Sequence, residues 1–506
     1  MASSEDHQQS LNAVRADTSF FGHPRGLATL FFTEMWERFS YYGMRAILMY
    51  YMVHKIAEGG LGFGKDKAGS VYGLYTSMVY LLCLGGGWIA DRVTGQRRAV
   101  LLGGICIAAG EFCLVVPGEV SFYAGLVLLM VGTGLLKGNV STIVGQLYAK
   151  GDPRRDSGFS IFYMGINIGA LISPVFCGYV GERISWRLGF GVAGIGMLAG
   201  LIQYVLGGRY LGSAGLHPAS TGDLELDRRQ KRNALMAVGG GLAFFALLGI
   251  LGATGVVAFT ATAIGNAQGW LLLGISVAVF SWLLLGRGWS PEERKRSAAV
   301  LVLFVASALF WASFEQAGST LSIFAEENTN RHLPFGLLFP ASWFQFVQPI
   351  FVVVLAPVFA WLWLALNRRR LEPPSPGKFA MGLVFAGLSF AILVPPASAA
   401  ASSGAQAAMW WLTGTYFLQT LGELSLSPVG LSAMSKLAPD RAAGFMMGIW
   451  FLSTSIGNWL AGKAESLSVS MPMPTLFGAV AGFSLLAALA LAVLIKPTVR
   501  LMSGVK

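Results

Sequence analysis

Long apolar runs recur along the whole chain, and they constrain it more than any motif does. About fourteen stretches reach the roughly 20 residues that a helix needs to cross a bilayer. Their approximate limits are 27–53, 68–90, 97–116, 121–148, 158–181, 188–207, 234–257, 259–286, 299–325, 341–366, 378–395, 407–435, 442–463 and 474–496. In lipid every backbone N–H and C=O must be satisfied within the protein, so runs of this length must be helices. The expected fold class is therefore an all-α polytopic membrane protein. Composition agrees: 54% of the 506 residues are hydrophobic and 12% are charged, against about 25% charged in soluble domains. Mean hydropathy is +0.61. The 65 glycines suit close helix packing in a membrane.

The basic residues sit in short loops between the runs. Arg92, Arg97 and Arg98, Lys150, Arg154 and Arg155, Arg228, Arg229, Lys231 and Arg232, Arg294 to Arg296, Arg368 to Arg370, and Lys436 and Arg441 all fall on one side when the spans are counted. Lys55, Lys65 and Lys67 are the main exception. Cytoplasmic loops carry the excess of Lys and Arg, so both termini are expected in the cytoplasm, with the protein in the cell (inner) membrane. The net charge of +11 is spread through these loops and does not suggest a nucleic-acid partner. Residues 1–26 are polar, without the order of a cleaved signal, and are expected to be a mobile cytoplasmic tail. Cys83, Cys106, Cys113 and Cys177 lie in apolar spans without metal-ligand spacing. No HExxH, GxSxG or His/Cys cluster is found, so neither an enzyme nor a metal site is expected.

Some spans carry charge where charge is costly, about 2.5–3.5 kcal/mol at mid-membrane. The first contains E-M-W-E-R-F-S-Y-Y-G, Glu34 to Gly43. Glu34, Arg38, Tyr41 and Arg45 recur at three- and four-residue spacings and share a helix face. This set is either a structural pin for the first helix or a proton and ligand site. The fourth span holds Lys137 between Gly134 and Gly138, far from either end. The fifth reads F-Y-M-G-I-N-I-G, with Asn167. The ninth places Trp311 and Glu315 one turn apart, and the twelfth carries Glu423 ahead of Pro428. The thirteenth contains Trp450 and Phe451. The five histidines lie outside the spans, so any proton relay must use carboxylates.

Glu34, Glu37 and Arg38 form an E-x-x-E-R motif that resembles that of the proton-dependent oligopeptide transporters, bacterial type, a branch of the major facilitator superfamily. The stretch Gly87 to Arg98, G-W-I-A-D-R-V-T-G-Q-R-R, resembles that superfamily's loop motif. Matching motifs follow in order on spans 1, 2, 4, 5, 9, 12 and 13, so the resemblance covers nearly the whole chain. It implies the major facilitator fold, with a six-helix bundle over 27–207 and another over 299–506. Residues 208–298 then hold a linker and an inserted two-helix hairpin, whose lack of buried polar groups suggests a structural or lipid-facing role.

The implied function is proton-coupled symport of di- and tripeptides by alternating access, in a protein that works as a monomer and needs no cofactor beyond the coupling protons. A related transporter of nitrate or another small solute is the alternative. The resemblance implies proton coupling through Glu34, Glu37, Arg38 and Glu315, and salt bridges Arg45–Glu315 and Lys137–Glu423. It implies a peptide pocket of Arg38, Tyr41, Tyr42, Tyr80, Lys137, Asn167, Trp311, Gln348, Glu423, Trp450 and Phe451. At Gln348, before Pro349, the family often has asparagine.

Overall fold

The computed structural model describes residues 4–149, 151–218, 223–254, 260–437 and 443–503. The loop charges Lys150 and Arg441 lie outside the described residues. The helices, in chain order, are α1 (Ser4–Ala16), α2 (Arg25–Val53), α3 (Lys65–Ile89), α4 (Gln96–Val115), α5 (Glu119–Gln146) and α6 (Arg154–Ser173). There follow α7 (Tyr179–Arg183), α8 (Trp186–Gly207), α9 (Leu224–Ala253), α10 (Ala261–Leu285), α11 (Pro291–Phe314) and α12 (Thr320–Glu327). The last are α13 (Phe344–Arg368), α14 (Ser375–Ala391), α15 (Val394–Ser403), α16 (Met409–Leu437), α17 (Ala443–Leu467) and α18 (Met473–Leu501). Strand content among the described residues is slight: Thr329–Asn330 pairs in parallel with Ala407–Ala408.

Among the described residues, ten segments are long and apolar enough to cross a membrane. Four more long helices, α2, α9, α16 and α17, bring the total to about the fourteen that the apolar runs predict. The charges Glu34, Glu37, Arg38 and Arg45 dilute the hydropathy of α2 without breaking it. Helix breaks fall where the sequence supplies them. Pro174 opens a π turn between α6 and α7. Glu315–Gly318 form a 3-10 turn between α11 and α12. At the start of α11, Ser290 Oγ accepts from the Glu293 N–H and the Glu293 carboxylate accepts from the Ser290 N–H, which satisfies two N–H groups that a helix start leaves unpaired.

Contacts divide the chain into two compact units. One comprises Met1–Met44 with Leu81–Thr260, the other Arg45–Tyr80 with Ala261–Lys506. The boundary runs through α2 and α3, so each helix lends one portion to either unit.

In the first unit, α4 packs on α5 and α8. Residues 4–16, expected as part of a mobile tail, form α1: Leu11 is buried and Arg15 donates to the Gln146 carbonyl. Arg97 donates to the carbonyls of Gly208 and Gly212 at 2.7 Å each, so this basic loop residue also closes the end of α8.

In the second unit, α14 packs on α16 and α18, and α11 on α17. Lys65 pairs with Glu327 at 2.8 Å, and Lys67 lies over the Phe63 ring. The exception to the loop-charge pattern thus consists partly of neutralised or stacked lysines. The inserted hairpin corrects the expectation of a segment without buried polar groups. Gln268 and Ser276 of α10 are buried, and Gln268 donates to the Leu74 carbonyl. An isolated polar side chain is tolerable in an apolar helix when a neighbouring helix completes its hydrogen bonds, and α10 docks on such a neighbour.

Candidate functional site

The first unit holds the E-x-x-E-R motif on α2. Helical spacing stacks Glu34 under Arg38, and Arg38 Nε lies 3.2 Å from Glu34 Oε1. The same nitrogen donates to Glu37 Oε2. All three residues are buried. Two carboxylates thus share one guanidinium. Among the described residues, Glu34 Oε2 and Glu37 Oε1 have no hydrogen-bond partner. A buried oxygen without a donor is costly, so these two oxygens are open to a hydrogen-bond donor. The Tyr41 ring lies 5.2 Å from the Arg38 guanidinium, and Tyr42 meets Tyr41 edge-on.

Lys137, half-buried at mid-α5, interacts electrostatically with Arg38, Glu37 and Glu34, and with the Cys83 thiol. Two acids and two bases therefore occupy one neighbourhood. Asn139, two residues on, ties α5 to α3 by donating to the Gly86 carbonyl at 3.3 Å. Asn167 donates to the Tyr163 carbonyl at 3.0 Å, along its own helix; its carbonyl oxygen remains an acceptor.

The second unit carries a differently built cluster. Arg45 Nη2 lies 2.6 Å from Glu315 Oε2, and Arg45 Nε donates to the Tyr72 hydroxyl at 2.7 Å. Arg45 Nη2 also donates to the Glu315 carbonyl at 3.4 Å. Glu315 reaches this position because α11 ends there in the 3-10 turn. Gly318 closes that turn, and a Cβ there would sit 1.8 Å from the Tyr72 hydroxyl. Only glycine lets the turn approach so closely. Glu423 accepts a hydrogen bond from Gln348 and lies in the field of Glu315.

Trp311 is buried against Phe310 and Phe314. Trp450 meets Phe379 edge-on at 6.4 Å. Phe451 lies 6.4 Å from the Tyr80 ring. The predicted residues therefore fall into two sets: Glu34, Glu37, Arg38, Tyr41, Tyr42, Lys137 and Asn167 in the first unit, and Arg45, Tyr80, Trp311, Glu315, Gln348, Glu423, Trp450 and Phe451 in the second.

Several partners were not anticipated from sequence. Tyr72 had no signal beyond being an aromatic in an apolar run. Glu111 did: it is an acid in the middle of the third apolar run, and an intramembrane carboxyl is a candidate by default. It is fully buried on α4 and accepts from Ser40 Oγ at 2.8 Å, which holds α4 against the motif helix. The resemblance places Gln348 in the peptide pocket, and its contact with Glu423 cannot be read from either residue alone.

Helices of membrane-crossing length with paired charges in their interiors define a multi-pass membrane protein. The profile of the POT family matches residues 97–218 and 275–479. A peptide transporter of Yersinia enterocolitica is 37% identical over 511 residues, spanning 98% of this chain and 98% of that protein. A di-/tripeptide transporter of Lactococcus lactis subsp. cremoris is 36% identical over 509 residues, 98% of this chain and 100% of its own. The crystal structure of a peptide transporter POT in complex with sulfate superposes with a TM-score of 0.90, at 42% sequence identity, over 99% of this chain and 100% of that one. The chain belongs to the POT family, and its fold is the major facilitator fold of that family.

Proposed function

We propose that the protein is a proton-coupled symporter that imports di- and tripeptides by alternating access. The observation that carries this reading is the Arg38 site: one buried guanidinium shared by two glutamates, each with an unpartnered oxygen. Such a site leaves carboxylate oxygens open to a proton.

A peptide is a dipole with a carboxylate at one end and an ammonium group at the other. Arg38 and Lys137 suit the carboxylate. Glu423, with the Gln348 amide beside it and Asn167 as a further acceptor, suits the ammonium group. Tyr41, Tyr42, Tyr80, Trp311, Trp450 and Phe451 supply apolar area that accepts varied side chains. When peptide engages Arg38, a glutamate loses its counter-charge and takes up a proton. The proton enters with the neutral peptide, and the membrane potential supplies about 2.3 kcal/mol per charge per 100 mV. The Arg45–Glu315 pair acts as a salt bridge of the transport cycle.

Support comes from the relatives, which include di-/tripeptide transporters, and from a family structure in complex with a thioalcohol-conjugated peptide. No feature specifically favours nitrate. The protein works in the inner membrane as a monomer, with both termini cytoplasmic, with protons as the coupling ion and no other cofactor. The test is uptake of a labelled dipeptide into proteoliposomes under an imposed inward proton gradient. Accumulation that needs the gradient and is lost in Arg38→Ala supports the assignment. Transport of nitrate but not peptide overturns it.

A further inference from the structure

A groove of about 550 Å³ runs along α10 and α17 in the second unit, lined by Asn266, Gly269, Leu273, Ile456, Trp459 and Lys463 among others. We infer that this groove binds an anionic phospholipid, with the headgroup on Lys463 and Asn266 and an acyl chain along Leu273 and Ile456.

The groove has a polar end and an apolar length. Lys463 lies about one turn before the end of α17 at Leu467, and Asn266 in the second turn of α10. Both therefore sit at one membrane interface, while Leu273 and Ile456 lie about two turns deeper along their helices. The outer wall faces outward: Trp270 is 73% and Leu273 52% exposed. Around membrane spans, an exposed apolar wall is covered by lipid.

Charge selects which lipid. Lys463 Nζ donates to Asn266 Oδ1 at 2.6 Å and lies 5.8 Å from the Trp459 ring. Among the described residues no carboxylate pairs with it. The ammonium has three donors, so capacity remains for a phosphate oxygen, and Asn266 keeps its amide N–H groups. A basic pocket between membrane helices favours an anionic headgroup over a zwitterionic one. The floor is rigid. Trp459 Nε1 donates to the Gly265 carbonyl, and a Cβ at Gly269 would lie 2.2 Å from the Trp459 ring, so glycine is what lets the indole pack against α10. The bound lipid would brace α10 on α17. This assigns the inserted hairpin a binding role that stands whether or not the transported solute is a peptide.

The test is native mass spectrometry of the full-length protein released from detergent with phosphatidylglycerol or phosphatidylcholine of matched acyl chains. The wild type should retain phosphatidylglycerol several-fold more than phosphatidylcholine. Lys463→Gln should remove that preference, and Lys463→Arg should keep it. Leu273→Trp, a surface change that fills the apolar length, should lower retention of both lipids. Equal retention of the two lipids by the wild type, an undiminished preference in Lys463→Gln, or unchanged retention in Leu273→Trp would each overturn the inference.

Discussion

Helix α2 carries two buried arginines two turns apart, and their surroundings are opposite in kind. Arg38 is shared by Glu34 and Glu37, which leave two carboxylate oxygens without partners. Arg45 meets a single carboxylate, Glu315, with the Tyr72 hydroxyl completing its contacts. In the first site one guanidinium serves two carboxylates, whose unpartnered oxygens a proton or a ligand donor can complete. At the second, the guanidinium and the carboxylate meet one to one, and the contact is broken by separating its members. A shared guanidinium with open carboxylate oxygens suits coupling, and a one-to-one pair suits a latch. The same helix and the same arginine chemistry thus support two tasks, and the number of carboxylates decides between them.

The largest effect should come from removing the cations of the first site. Arg38→Ala and Lys137→Ala should each reduce proton-driven dipeptide uptake at least tenfold, because losing one partner of a buried charge pair costs about 2–5 kcal/mol. Normal accumulation in either variant, at equal expression, would break the proposed role of this site.

The second site should respond in stability as well as transport. Arg45→Ala leaves Glu315 buried without its ion-pair partner, and such losses cost about 3–5 kcal/mol. Thermal unfolding in detergent should therefore fall further in Arg45→Ala than in Arg38→Ala, whose glutamates keep the charge of Lys137 nearby. A joint Arg45→Met and Glu315→Leu change should recover much of the stability. If both single arginine variants melt alike, the contrast between the two sites is wrong.

How far the sequence discloses these sites follows from their geometry. The apolar runs and the charges inside them are one-dimensional facts. They give the helices, the family and the clustering of Glu34, Glu37 and Arg38, which share a turn. Partnerships across helices depend on rotation and depth, which hydropathy does not specify. Thus Tyr72 against Arg45, Gln348 against Glu423 and Glu111 against Ser40 emerge only in three dimensions. The buried Gln268 of α10 was overlooked because the span around it is uncharged, although a lone amide in an apolar run is itself a sign of helix docking.

A smaller effect is expected just beyond the end of α2. His54 faces Glu326 at 2.8 Å and Glu58 at 3.1 Å. The hydrogen bond to Glu326, with further help from both carboxylates, holds its pKa above the ordinary 6.5. The stabilisation is complete below that ordinary value and is lost as pH rises through the folded-state value. Wild type should therefore melt above His54→Gln at about pH 5.5, by less than about 1 kcal/mol of stability, and the gap should close in mildly alkaline buffer. A gap that widens with pH would contradict the charged pairing.

The smallest effect belongs to the hairpin. Substituting exposed apolar residues of α10, such as Leu271→Ala, should leave peptide affinity unchanged, since residues 234–286 contribute no ionisable group. A large rise in the peptide dissociation constant would tie the hairpin to the substrate site.

The most direct test of the shared-guanidinium site is one double variant, Glu34→Gln with Glu37→Gln, measured two ways in the same proteoliposomes. Counterflow of labelled dipeptide needs no net proton movement and should persist. Accumulation driven by an inward proton gradient should be lost. Survival of gradient-driven accumulation would contradict the coupling role of Glu34 and Glu37 and move the proton path to Glu315 or Glu423.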